Sequence, residues 1–213
     1  FALKNWKHHP PIIKKKTWWL LFLAGLFLGL HFVTWITSLE YTSVASSVVL
    51  VTTAPLWVAL LSPVFLNEKL TKKVIAGLII SLLGSFIVGG SSNCLILSGK
   101  LSCETITGWW TGRAVIGNLL ALAGAFLSAG YLIVGRRVRN QLSLPIYTTI
   151  VYGIASIVLI MLVIISRTSV LGYSTLSYIW IVALALIPQV IGHTSFNWAL
   201  KYLSAAYVSI ALL

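Results

Sequence analysis

The chain has 213 residues, of which 59% are hydrophobic and only 8% charged, with a mean hydropathy of +0.99. Soluble domains carry about 25% charged residues, so the composition excludes a soluble globular protein and indicates an integral membrane protein. The net charge of +12 does not point to nucleic acid, because the basic residues cluster between apolar spans, as cytoplasmic loops do.

Residues 1–16, "FALKNWKHHPPIIKKK", read as a basic loop. Uncharged runs then cover 17–39, 41–67, 74–99, 114–135, 140–166 and 168–200. Each holds a stretch long enough to cross a bilayer as a helix, which takes about 20 residues. The runs are continuously apolar rather than alternating, so helices are expected and strands are not. A last uncharged run, 202–213, has 12 residues, which is the start of a seventh helix. With Phe1 in place of a start methionine and an apolar final run, the chain is expected to be a piece of a longer protein, truncated at both ends.

Direction follows from Lys and Arg. Lys4, Lys7, Lys14, Lys15, Lys16, Lys69, Lys72, Lys73, Arg136, Arg137, Arg139 and Lys201 fall in one set of alternate loops; Lys100, Arg113 and Arg167 fall in the other. The first set is assigned to the cytoplasm, which makes the N-terminal loop cytoplasmic and residues 91–116 an external loop. Cys94 and Cys103 share that external loop. A disulfide there and two free thiols are both open, and two cysteines without a nearby histidine do not make a metal site.

An internal repeat is visible. "SLEYTSVASSVVL" (38–50) aligns with "ALKYLSAAYVSIA" (199–211) at an offset of 161, matching Leu39, Tyr41, Ser43 and Ala45 with Leu200, Tyr202, Ser204 and Ala206. The helix ending near Leu39 runs outward and the one ending near Leu200 runs inward. The copies are therefore inverted, an arrangement found in transporters.

These segments resemble the EamA-type families of the drug/metabolite transporter superfamily. The resemblance rests on "SLEYTSVASSVVLVTTAPLW", "FLNEKLTKK", "GLIISLLGSFIVGG", "GNLLALAGAFLSAGYLIVGRRVR" and "PQVIGHTSFNWALKYLSAAYVS" taken together. It implies an all-α membrane bundle of ten helices in two five-helix inverted repeats, with this chain supplying helices three to early nine. Residues 17–90 would be the last three helices of the first repeat, and 117–213 an incomplete second repeat.

Several residues could carry function. His31, Thr34, Trp35 and Ser38 share one helical face. Polar groups at membrane depth tend to face the protein interior or an aqueous cavity. His31 and Trp35 could hold an organic solute; alternatively His31 bonds a neighbouring helix and Trp35 belongs to the interfacial belt. His193 and Asn197 sit four residues apart with Trp198 beside them, after Pro188, which would bend the helix or free a carbonyl. They are either site residues or helix-packing groups. Pro55 reads as a mid-helix kink, with Thr52 and Thr53 able to satisfy the backbone it disturbs. Tyr131 is a further candidate, with Asn118 behind it. Glu68, at a helix C-terminus, is expected to pair with Lys69, Lys72 or Lys73. The "GLFLG" pattern (Gly25, Gly29) indicates packing within the bundle and leaves a homodimer open.

No Ser–His pair or metal-ligand motif of an intramembrane enzyme is present in the sequence, so an enzyme is not expected, and no cofactor is implied. The expected function is secondary transport, as an exporter of small metabolites, amino acids or drug-like solutes in the plasma membrane. Its partners would be the solute and the lipid bilayer. A non-transporting receptor or scaffold of similar fold is the alternative. Proton coupling, if present, falls to His31 or His193.

Overall fold

The computed structural model describes residues 13–91, 94–97, 100–103 and 112–212. The expectations on Lys4 and Lys7 lie outside the described residues, as do the side chains of Cys94 and Cys103. The helices run α1 (Lys15–Ser38), α2 (Val44–Val51), α3 (Ala54–Leu66) and α4 (Lys72–Ser91), then α5 (Ala114–Arg139), α6 (Leu144–Ser166) and α7 (Thr175–Leu184). A π-helical segment (Ala185–His193), α8 (Thr194–Ala199) and α9 (Ala205–Ile210) complete them. Between α4 and α5 lies a short antiparallel hairpin, β1 (Cys94–Leu97) and β2 (Lys100–Cys103), whose register sets Cys94 opposite Cys103.

Among the described residues, five helical stretches are long and apolar enough to cross a membrane: Lys15–Ser38, Val44–Leu66, Ala114–Arg139, Leu144–Ser166 and Thr175–Ala199. The protein is thus an all-α membrane protein. The 20 residues of α4 form a further helix. In lipid, a helix satisfies its own backbone, so long apolar runs have little alternative.

The core is organised around α1, which lies between α5 and α6. Contacts with α5 run antiparallel: Gly117 lies against Ser38 and Thr42, Gly124 against Thr34 and Trp35, and Gly130 against Phe27. Contacts with α6 run parallel: Gly25 meets Val151 and Ile154, and Gly29 meets Ala155 and Val158. A Cβ at Gly25 would stand 2.6 Å from Ile154 Cβ and 2.9 Å from the Val151 carbonyl oxygen. The "GLFLG" pair therefore packs helix on helix within the bundle. One face of α5 carries Gly117, Ala121, Gly124, Ala125, Ser128 and Ala129, all buried. Small side chains at this spacing let two backbones approach closely, which is how membrane helices gain contact without a hydrophobic driving force.

One end of the bundle is basic. Thr17 at the start of α1 donates to Gln141 Oε1, and Arg136 at the end of α5 reaches Glu68, Leu200 and Lys201. At the opposite end, the Arg113 guanidinium sits 5.2 Å over the Tyr41 ring.

Among the described residues, two helices depart from a regular run. The uncharged run 41–67 does not make one helix kinked at Pro55. Instead it breaks at Thr52–Thr53 into α2 and α3, with Pro55 in the first turn of α3. Pro55 has no N–H for the Val51 carbonyl, and its ring crowds that position. The Thr52 and Thr53 hydroxyls bond the Val49 and Leu50 carbonyls at 2.9 and 2.6 Å, as the sequence suggests they could. The second departure is the π segment around Pro188. Wide turns of this kind arise where the regular ladder is interrupted and frequently accompany functional sites.

The 161-residue offset recurs in three dimensions. Helix α1 ends at Ser38 and α8 ends at Ala199. Ser43 caps α2 by accepting from the Ser46 N–H at 3.1 Å, and Ser204 caps α9 by accepting from the Tyr207 N–H at 3.4 Å. Each second-copy residue stands 161 positions after its counterpart.

Candidate functional site

The sequence-predicted polar residues gather where α1, α5, α6 and the π segment with α8 meet. Because the Gly124 carbonyl can only accept, the His31 Nδ1 lying 2.9 Å from it carries the proton, leaving Nε2 as an acceptor. This is a packing bond to a neighbouring helix, and it also fixes the ring. The His31 ring stacks on Trp35 at 5.8 Å between centroids, with 21° between planes. Trp35 Nε1 is buried with no hydrogen-bond partner.

The second half supplies the other wall. Tyr131 on α5 donates its hydroxyl to Asn197 Oδ1 at 2.8 Å, and Asn197 Nδ2 donates to the Tyr152 hydroxyl on α6 at 3.1 Å. Tyr152 Oη lies 3.3 Å from Thr194 Oγ1. The Asn197 carbonyl accepts from Arg139 Nε at 2.8 Å, and Arg139 Nη1 also bonds the Leu142 carbonyl. Asn197 is thus held by its side chain and its backbone. His193 sits among rings, 5.5 Å from Phe32, 6.0 Å from Tyr131 and 6.0 Å from Phe196. Its Nδ1 is buried without a partner.

Phe32 belongs to the first half and His193 to the second, so the cluster is built jointly. Its buried, unpaired N–H and imidazole groups are costly in an apolar setting unless something else engages them.

Not every predicted residue joins. Thr34 turns its hydroxyl back to the Leu30 carbonyl of its own helix at 2.9 Å, although its side chain stays beside Gly124. Pro55 is buried in α3 and shapes the break between α2 and α3. Trp198 is 56% exposed and packs on Tyr202 at 5.1 Å, away from the cluster, because adjacent positions on α8 point about 100° apart. Asn118 is fully buried in α5. Glu68 pairs with Arg136, not with the neighbouring lysines.

Phe32, Tyr152, Thr194 and Phe196 also take part and were not singled out in the sequence. Tyr152 alone had a usable signal, a single hydroxyl-bearing ring in the apolar run "TIVYGIASIV". Such a hydroxyl at depth needs a partner. The open apolar groove lined by Lys15, Trp18, Trp19, Phe22 and Ile154 lies near the start of α1, well away from the cluster.

The comparisons agree with this architecture. The model of the EamA-like transporter family matches residues 1–90 and 115–213. No curated protein matches the chain. A solved structure described only as "Crystal structure of protein" superposes with a TM-score of 0.72 at 18% identity, over 98% of this chain and 68% of the other. At that identity the likeness concerns the fold alone. With most of its length matched by the family, this chain belongs to the EamA-like transporters, membrane transporters of the drug/metabolite superfamily.

Proposed function

We propose that the protein exports small metabolites, amino acids or drug-like solutes across the plasma membrane by alternating access. The solute would bind between the two repeats at the cluster of His31, Trp35, Tyr131, His193 and Asn197. In this reading the basic end faces the cytoplasm, following the distribution of Lys and Arg. The observation that carries the proposal is the joint construction of the cluster: Phe32 of one half packs on His193 of the other, while Trp35 Nε1 and His193 Nδ1 stay buried and unpaired. Inverted-repeat transporters bind solute at such a repeat interface, and the repeats rock around it.

The test is flux. The full-length protein is reconstituted in liposomes and efflux is measured for a metabolite panel. His31→Ala, Trp35→Ala and Asn197→Ala are then compared at matched protein density. The proposal expects each to lower transport of the accepted solute. Unchanged transport in all three would remove the site.

A further inference from the structure

Gln189 also lies in the π segment, four residues before His193. Its Oε1 is buried and has no hydrogen-bond partner. In a segment whose bonds run from i to i+5, residues four apart lie on nearly the same face, so Gln189 and His193 share one side of the segment. The level of Gln189 follows from helix directions. Contacts of Tyr131 with His193 and Asn197, and of Arg136 with Leu200, make α5 parallel to the π segment and α8. Since α1 is antiparallel to α5, it is antiparallel to the π segment too. Phe32 and His193 are in contact. One turn farther from the basic end, α1 therefore presents Trp35 and the π segment presents Gln189.

On that placement α1 and the π segment would carry a second polar layer above the histidine layer, combining an unpaired donor, Trp35 Nε1–H, with an unpaired acceptor, Gln189 Oε1. Indole N–H only donates. Residues 17–38, 114–135 and 175–199 contain no Asp, Glu, Lys or Arg, so these spans offer no counter-charge for an ionic group. An uncompensated buried charge is far more costly than a buried dipole.

We propose that Trp35 and Gln189 form the outer layer of the solute site and grip an uncharged amide-type edge, whose carbonyl accepts from Trp35 and whose N–H donates to Gln189. The solute class is then neutral compounds bearing a carboxamide, lactam or similar donor–acceptor edge. This deepens the transporter reading and rests on it for the solute, whereas water access to Gln189 does not depend on measured flux.

The experiment uses the full-length protein in a background with every cysteine, Cys94 and Cys103 included, replaced by serine, reconstituted in liposomes. Gln189→Cys is compared with Ile187→Cys and Val190→Cys, two apolar positions of the same segment that are 63% and 50% exposed. A charged methanethiosulfonate reagent reacts with thiols in water and not with thiols in lipid. Gln189→Cys is expected to react at least about tenfold faster than either control, since polar positions in a span face a wet interior. Binding is read in the same background with Gln189 intact: radiolabelled nicotinamide, a neutral carboxamide, is expected to bind, while benzoate, its anionic near-isostere, is not. Trp35→Phe, which keeps a ring and removes the N–H, and Gln189→Leu, which removes the acceptor, are each expected to weaken nicotinamide binding at least about tenfold. A Gln189→Cys labelling rate equal to the controls overturns the placement of Gln189. Binding of neither compound, or of both equally, overturns the amide assignment. Nicotinamide binding that is unchanged in Trp35→Phe removes Trp35 from the layer. None of these results depends on efflux, so they stand apart from a failure of the transport test.

Discussion

Glu68 and Arg136 meet at the basic end of the bundle, with Arg136 Nε donating to Glu68 Oε1 at 2.7 Å. The other carboxylate oxygen accepts from the Ala205 N–H at 3.0 Å, at the start of α9. Arg136 Nη1 donates to the Leu200 carbonyl at 2.7 Å. One carboxylate thus joins the end of α3 to α5 and to the turn before α9, tying the first half to the second. With side chains only 18% and 20% exposed, this pair is less screened than a surface ion pair, which contributes about 0–1 kcal/mol. Glu68→Ala is expected to destabilise the protein by about 2 kcal/mol, because it leaves the partly buried Arg136 Nε–H and the helix-start Ala205 N–H without their acceptor. Denaturation in mixed micelles reads this. In a double-mutant cycle with Arg136→Ala, a coupling below about 0.5 kcal/mol would show that the halves do not depend on this link.

Gly25 has no room for a side chain. Gly25→Ala places a Cβ against the Val151 carbonyl and Ile154 Cβ, so α1 and α6 must separate. Overpacking of this sort costs about 1–3 kcal/mol. Gly153, with nothing within 4 Å of its added Cβ, is the control. Gly153→Ala should be neutral or slightly stabilising, since Gly costs about 0.5–1 kcal/mol in a helix relative to Ala. Comparing the thermal stability of the two variants in detergent checks the contrast.

Ser43 and Ser204 cap equivalent helices at the same offset. Ser43→Ala and Ser204→Ala should each lower stability by about 1 kcal/mol, and Ser→Gly at either position by only a few tenths. Micelle denaturation of the four variants measures this. If only one alanine variant shows a loss, the two turns are not energetic equivalents.

The Tyr131–Asn197–Tyr152 chain holds the wall of the cluster. Tyr131→Phe removes the donor to Asn197 Oδ1 and leaves a buried amide oxygen unsatisfied, a cost of about 1–3 kcal/mol. Tyr152→Phe also breaks the chain, at its other end. Under the transporter reading, both variants should reduce flux by more than their loss of folded protein accounts for. Efflux normalised to folded protein makes the comparison, and proportional losses would reduce the chain to a packing role.

Much of the architecture was legible along the chain, because it depends on quantities that are local. Run length sets whether a segment can cross. The positions of Lys14, Lys69, Arg136 and Lys201 mark one end of the bundle. The 161-residue offset reappears in the ends of α1 and α8 and in the caps at Ser43 and Ser204. His31, Tyr131, His193 and Asn197 stood out because polar groups are rare in such runs and must find partners.

Other features depended on distant pairings that no local pattern encodes. Glu68 had three lysines within five residues, yet it takes Arg136 because helix packing brings the ends of α3 and α5 together and α9 starts beside them. Tyr152 matters through Asn197, 45 residues away. Trp198 looked like a companion of Asn197, but adjacent helix positions point about 100° apart, so burying Asn197 turns Trp198 outward. Pro188 announced a disturbance without its form. A kink and a nine-residue π segment both accommodate a missing N–H. Gln189 and His193, four residues apart, share a face in either form, so the sequence spacing could have flagged Gln189; that its Oε1 is buried without a partner is a tertiary outcome.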